Sequence, residues 1–263
     1  MTDVRPLLEL QGVTRTHRRG ERELRTLRDA SMALAPGTLA AVFGDRGSGK
    51  TTLLRIAAGI DAPDAGRVLL DGVDLARIGL RTGRFRRPRR DPAVLRRRIV
   101  MVTRSAPEIA GLPMLAHVGL ALMRRRSRRE ADALAAAALE RAGVPEVGRA
   151  TWEELSDAER TLVSFAHAIA RRPQVMVVDD PVAALDTWHR ERVGGLMRSL
   201  AEESGGVVLV AATEAGGLSP HLHDSWVLSR GRLVHAVAPE RPETGDGGDG
   251  GAKVVDLRSH RAG

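Results

Sequence analysis

The chain has no cysteine and no tyrosine, and Lys50 is the only lysine before residue 253. Without thiols it holds no disulfide and no thiolate-bound metal, an inventory that suits the reducing cytoplasm. Aromatic residues make up 2% of the sequence, too few for the stacking platforms that grip single-stranded nucleic acid. No apolar run approaches the ~20 residues that a membrane-spanning helix needs. The opening Met1-Thr2-Asp3-Val4-Arg5-Pro6 lacks the apolar centre of a secretory signal. These absences predict a cytoplasmic protein that reaches a membrane only through a partner. The eight histidines show no metal-ligand spacing, and His221 and His223 beside Pro220 read as a surface loop. Trp152, Trp188 and Trp226 stand singly and read as packing residues.

What is present is arginine. The formal net charge of +8 is carried almost wholly by guanidinium groups, nine of them between Arg81 and Arg98. With two prolines in that stretch, it reads as an exposed loop or short basic helix. Such clusters suit nucleic acid or anionic lipid, and the plainer alternative is a solvated face.

Against that background Lys50 sits in Gly44-Asp45-Arg46-Gly47-Ser48-Gly49-Lys50-Thr51-Thr52, which fits the pattern G-x-x-x-x-G-K-[ST]. Glycines let backbone N–H groups close around phosphate oxygens, and the following helix adds its positive end. The lysine reaches the outer phosphates, and the Thr51 hydroxyl ligates Mg²⁺. Thr38–Phe43 ahead of the motif reads as a buried strand and Leu53–Ala58 behind it as a helix, the order the motif requires. The predicted ligand is a nucleoside triphosphate with Mg²⁺.

Such a site needs a carboxylate on a neighbouring strand. Val175-Met176-Val177-Val178 is apolar throughout and ends in Asp179, placed to hold the Mg²⁺ shell, with Asp180 next to orient an attacking water. A helix-capping turn is the alternative for an Asp-Asp pair. Further strand material is predicted over 7–11 and 31–43 around the turn Ala35-Pro36-Gly37, and over 66–72 and 207–211, with helices over 130–143, 157–171 and 186–203. Strands alternating with helices argue for an α/β fold with a mainly parallel sheet. From about residue 238 the composition turns to Pro, Gly, Glu and Asp, and residues 238–263 read as a disordered tail.

From Leu8 to Val234 the chain resembles the ATP-binding subunits of ABC transporters, and among them the lipoprotein-release, macrolide-export and cell-division branch. The likeness is carried by Thr26–Ser31, the phosphate loop, Ala58–Gly66, Leu155-Ser156, Val175 to Ala184-Leu185-Asp186, and Gly231–Val234. It implies a P-loop NTPase core within residues 1–237, a small antiparallel β subdomain and an inserted α-helical subdomain over about 105–172. It also implies ATP and Mg²⁺ as ligands, a transmembrane permease subunit as partner at the inner face of the membrane, and a second ATP-binding subunit. That subunit is either another copy or a different chain, and the two enclose two ATPs head to tail.

The chain departs from that family at five places around the implied site. His17 stands where an aromatic residue stacks on adenine, and Arg104 where a glutamine senses Mg²⁺; arginine cannot ligate a metal. The signature segment reads Ser156-Asp157-Ala158-Glu159 after Leu155, which brings a carboxylate toward the partner's γ-phosphate. At about 5 Å and an effective dielectric near 20, such a repulsion costs roughly 3 kcal/mol. Asp180 replaces the catalytic glutamate and is one methylene shorter; a displacement of about 1 Å can cost on the order of 10²-fold in rate. Thr213 replaces the switch histidine. Nucleotide binding with slow hydrolysis is the expectation. A hydrolysis-deficient subunit acting structurally in a heterodimer is the alternative. A nucleic-acid-associated ABC ATPase using Arg81–Arg98 and Arg124–Arg129 is a third, disfavoured because such proteins usually carry two cassettes or a coiled-coil insertion.

Overall fold

Val175–Val178 and Val207–Ala212 contain no polar side chain, and the architecture shows why: both faces of their sheet are covered. The computed structural model describes residues 5–19, 22–78, 98–103, 109–123, 126–182 and 185–236. Its larger sheet has the strand order β10-β9-β3-β8-β7-β6. Here β3 is Thr38–Phe43, β6 Ile99–Val102, β7 Val175–Asp179, β8 Val207–Ala212, β9 Asp224–Ser229 and β10 Arg232–Ala236. All neighbours run parallel except β10, which returns antiparallel on β9 as a hairpin.

A second, four-stranded antiparallel sheet has the order β2-β1-β4-β5, from β1 (Leu8–Arg19), β2 (Arg22–Leu34), β4 (Ala65–Leu70) and β5 (Val73–Asp74). The helices are α1 (Lys50–Ala57), α2 (Met114–Leu120), α3 (Arg128–Ala142), α4 (Asp157–Ile169) and α5 (Thr187–Ser204).

The two-residue period of the strands divides the core. Leu39, Ala41, Met176, Val178, Val208 and Val210 face a helical layer built on Val118 of α2, Leu139 of α3, Phe165 of α4 and Met197 of α5. Ala40, Val42, Val175, Val177, Leu209 and Ala211 face the other way, onto Leu53 and Leu54 of α1 and onto Leu8, Leu10 and Leu27 of the antiparallel sheet. Each burial removes apolar surface from water at roughly 25 cal/mol per Å².

Helix ends follow their local chemistry. Ser127 caps α3 in a reciprocal capping box with Glu130, and Gly143 closes it in the left-handed region at φ 79°. Asp186 caps α5 by accepting from the His189 backbone N–H at 2.8 Å. The strand material expected at 7–11 opens β1, which continues to Arg19, and that expected at 31–43 around its turn is the end of β2, which begins at Arg22, followed by β3. Trp152 packs in the core, but Trp188 does not: it is 62% exposed, with the Arg192 guanidinium 5.3 Å from its ring. Most of the Arg81–Arg98 cluster, Arg124, Arg104 and the 238–263 tail lie outside the described residues. No helix among the described residues is long and apolar enough to cross a membrane.

Candidate nucleotide site

The site is assembled at the C-terminal ends of three adjacent parallel strands, where an α/β sheet opens a crevice. β3 ends at Phe43, and the loop 44–49 carries the chain into α1. Gly49 lies at φ 107°, and a Cβ there would come within 2.7 Å of the Thr26 carbonyl oxygen. Only glycine permits both the conformation and that approach to β2. Gly49 offers no side chain to cap α1, so the N–H groups of its first turn are left for a ligand.

Lys50 is nearly enclosed, at 8% exposure. Its ammonium curls back over the loop and donates to the carbonyl oxygens of Gly44 at 2.6 Å and Asp45 at 3.0 Å. A compact three-donor cation held there is in place to exchange carbonyls for phosphate oxygens. The Ser48 hydroxyl oxygen is buried in the loop without a hydrogen-bond partner. Asp45, Arg46 and Gly47 form the exposed lip.

Thr51, in the first turn of α1, donates from Oγ1 to Asp179 Oδ2 at 2.9 Å across a sequence separation of 128 residues. This contact tests the fit of a divalent cation. Octahedral Mg²⁺ binds oxygens at about 2.0–2.1 Å, so adjacent ligands stand about 2.9 Å apart. The two oxygens already have that spacing, and both are hard donors. The residues present fit Mg²⁺.

Asp180 follows Asp179 with φ at 48°, a left-handed conformation that aspartate tolerates better than most residues. Its backbone N–H donates to Ala211 of β8 at 2.9 Å, which locks the strand end to β8. Thr213, exposed just past β8, lies two residues beyond that anchor. Asp179, Asp180, Thr213 and the phosphate loop therefore share one edge of the sheet.

His17 reaches the same region from β1, with Nε2 3.5 Å from Thr52 Oγ1. Directly across the β1–β2 ladder from His17 stands Leu24, 62% exposed. Cross-strand partners share a face, so His17 and Leu24 offer a flat ring and an apolar edge side by side. Leu24 was not singled out in the sequence. Its one signal is a leucine among charged neighbours, Glu21-Arg22-Glu23-Leu24-Arg25.

The signature segment lies in the helical layer, whereas α1 packs on the other face of the sheet. Ser156 is the N-cap of α4. Its hydroxyl donates to Glu159 Oε2 at 2.7 Å and accepts from the Glu159 N–H at 3.3 Å. The Ser156 hydroxyl and then its backbone N–H hold the Glu159 carboxyl below its ordinary range. Asp157, largely exposed, meets the Arg160 guanidinium at 3.5 Å. The added carboxylate thus has a counter-charge one turn away. Ala158 follows it in the first turn of the helix.

A phosphate loop at the end of a central strand, with an aspartate on a neighbouring parallel strand, defines a P-loop nucleotide-binding protein of the α/β class. Residues 27–183 match the ABC transporter family, and the chain belongs to it, carrying the ATP-binding domain of such a transporter. It is 30% identical to the lipoprotein-releasing system ATP-binding protein LolD of Hyphomonas neptunium, over 89% of this chain and 99% of the relative. It is 32% identical to the octopine permease ATP-binding protein P of Rhizobium meliloti, over 91% and 93% respectively. Among solved structures it is similar to the dimeric, post-hydrolysis ATP-binding cassette MJ0796 bound to ADP and Pi, with a TM-score of 0.73, 25% identity, and coverage of 86% of this chain and 96% of that one.

Proposed function

We propose that this chain binds Mg-ATP between its phosphate loop and the end of β7, and couples slow hydrolysis to transport by membrane subunits on the cytoplasmic side. The observation that carries this reading is the Thr51–Asp179 contact at 2.9 Å, beneath a complete phosphate loop. Lys50 and the N–H groups of loop 44–49 take the phosphates, and His17 with Leu24 flanks the base. Thr51 and Asp179 hold Mg²⁺, which when bound offsets charge on the phosphate oxygens.

In this reading Asp180 orients the water and accepts its proton. Its side chain is shorter than the family's glutamate, so the geometry of attack is loosened. Thr213 can donate one hydrogen bond to a phosphate but brings no positive charge. Binding is thereby retained while the chemical step is slowed. A second copy or a different ATP-binding chain completes the head-to-tail pair, and the second reading, a subunit that holds ATP without turnover, is favoured by these same two substitutions. At 30–32% identity the relatives include both a lipoprotein-release and an octopine protein. Family membership therefore does not name the cargo.

Steady-state ATPase activity with Mg²⁺, measured beside Lys50→Ala, tests the reading. The expected result is a low rate clearly above that of Lys50→Ala, with nucleotide binding lost in the variant. Equal rates with binding preserved in the parent chain would establish the second reading. No nucleotide binding by the parent chain would sink the first and the second together.

A further inference from the structure

β7 and β8 each hand the chain to a connection that begins with a candidate site residue. After β7 it passes Asp180 and reaches Leu185; after β8 it passes Thr213 and reaches Gly217. Both connections meet the same side chain, Arg190, half-buried in the first turn of α5.

The first contact is polar. Arg190 Nε donates to the Leu185 carbonyl oxygen at 2.7 Å. Leu185 is held from its other side as well: its N–H donates to the Val182 carbonyl oxygen at 3.1 Å, and its side chain is buried. A bond from a charged donor is roughly twice as strong as one between neutral groups. Because the guanidinium is a rigid plane, a bond made through Nε also fixes where the other two nitrogens point.

The second contact is steric. Gly217 lies at φ 68°, and a Cβ there would come within 2.8 Å of Arg190 Cβ. A Cβ on Gly216 would stand 3.9 Å from Arg190 Nη1. One turn further along α5, Gly194 leaves the matching recess, where a Cβ would come within 3.2 Å of the Gly217 carbonyl oxygen. The turn that follows Thr213 is cross-braced. The Ala215 carbonyl oxygen accepts from the Leu218 and Ser219 N–H groups at 3.1 Å each and from the Ser219 hydroxyl at 3.2 Å. Leu218 is fully buried. A push at Gly217 is therefore passed along the turn toward Thr213 instead of being absorbed.

We infer that Arg190 is a positioning residue for the nucleotide site. Its head holds the connection after Asp180 and its stem supports the connection after Thr213, so α5 keeps the two site residues in one arrangement. The inference rests on the reading that this edge of the sheet hydrolyses ATP. It adds a side chain, outside the phosphate loop and the two strand ends, on which the alignment of both residues depends. It also makes the first turn of α5 a place from which the rate can be altered with nucleotide binding left intact.

Arg190→Met and Arg190→Lys in the full chain test this. Methionine keeps an unbranched stem against Gly217 and removes the donor, whereas lysine restores a donor without the fork. At saturating Mg-ATP the single-turnover rate is expected to fall about tenfold in Arg190→Met, within the ~10²-fold that a 1 Å misplacement can cost, and lysine should recover about threefold of it. Mg-ATP affinity should change by less than about twofold in both, a split that mere loss of fold stability does not produce. The tie itself is read by NMR without nucleotide. Gly217→Ala, which crowds the Arg190 stem, should shift the Leu185 amide resonance in the parent chain, and most of that shift should vanish in Arg190→Met. Gly216→Val crowds Nη1 from a position outside the left-handed region, and takes its place if Gly217→Ala does not fold. A rate and an affinity that fall together would overturn the inference, as would a Leu185 shift undiminished in Arg190→Met. A parent chain that binds no ATP contradicts the ATP reading alone; there, or where ATP is bound without turnover, the amide shift decides this inference by itself. Unchanged turnover in Arg190→Met contradicts only this inference.

Discussion

At the scale of single residues, Asp180 shows how one side chain answers to two demands. Its backbone sits at φ 48°, and its N–H is committed to Ala211 at 2.9 Å. A left-handed residue with a long side chain costs on the order of 1–2 kcal/mol, and aspartate is among the few that lower this cost locally. Asp180→Glu should therefore raise the ATPase rate, by up to about 10²-fold, if side-chain reach is what limits attack. The same substitution should lower stability by about 1 kcal/mol. Single-turnover kinetics and urea unfolding of the one variant read both numbers; a rate that stays flat would leave Thr213 as the limiting departure. Asp179→Asn makes a cleaner case. It keeps one oxygen near Thr51 but removes the charge, so the gain in ATP affinity on adding Mg²⁺ should fall at least tenfold, while affinity in EDTA changes little. Titration of a fluorescent ATP analogue with and without Mg²⁺ decides it.

At the scale of elements, the sequence was most legible where ends are chemically marked. The helix expected at 157–171 is observed at Asp157–Ile169, because Ser156 and Glu159 close a reciprocal capping box. The helix expected at 186–203 is observed one residue on, behind its Asp186 cap. The β1–β2 hairpin was the element missed. Toward its outer end, around Thr16-His17 and Leu24-Arg25, the hairpin alternates no apolar face, because His17, Leu24 and Arg25 are exposed and have no core to pack against. The same blind spot hid Leu24. Nor did sequence spacing bring His117 and His167 together, 50 residues apart on different helices. Capping makes Ser156→Ala costly in a way unrelated to catalysis: about 1 kcal/mol of stability should go with the lost cap, measurable by urea denaturation without nucleotide. The buried histidine gives α4 a pH signature as well. His167 is depressed from 6.5 to about 4 in the fold. The folded chain thus binds fewer protons than the unfolded chain between those values, and stability is full above pH 6.5 and lost as pH falls toward 4. At roughly 1.4 kcal/mol per unit the loss approaches about 3 kcal/mol. His167→Gln should flatten that slope in unfolding curves taken at pH 7 and pH 5.

At the scale of the whole molecule, the question is what two copies would do to each other. In the proposed head-to-tail pair the N-terminus of α4 would meet the other subunit's triphosphate, and helix N-termini favour anions there. This chain places Asp157 and Glu159 in that first turn. Glu159 is held by its capping box, so Asp157 is the carboxylate left to repel phosphate, at roughly 3 kcal/mol if unopposed. Arg160 stands 3.5 Å from it, but an exposed pair of this kind returns only about 0–1 kcal/mol. The remainder, about 2 kcal/mol at each of the two sites, is a factor of roughly 10³ in the association constant of two copies. Sedimentation with saturating Mg-ATP should therefore find the chain mostly monomeric at concentrations where Asp157→Gly is largely dimeric. Arg160→Gln should weaken association further than the parent, since it removes the guanidinium paired with Asp157. If Asp157→Gly and the parent dimerise alike, Asp157 turns away from the phosphate in the assembled pair. A low ATPase rate would then be assigned to Asp180 and Thr213.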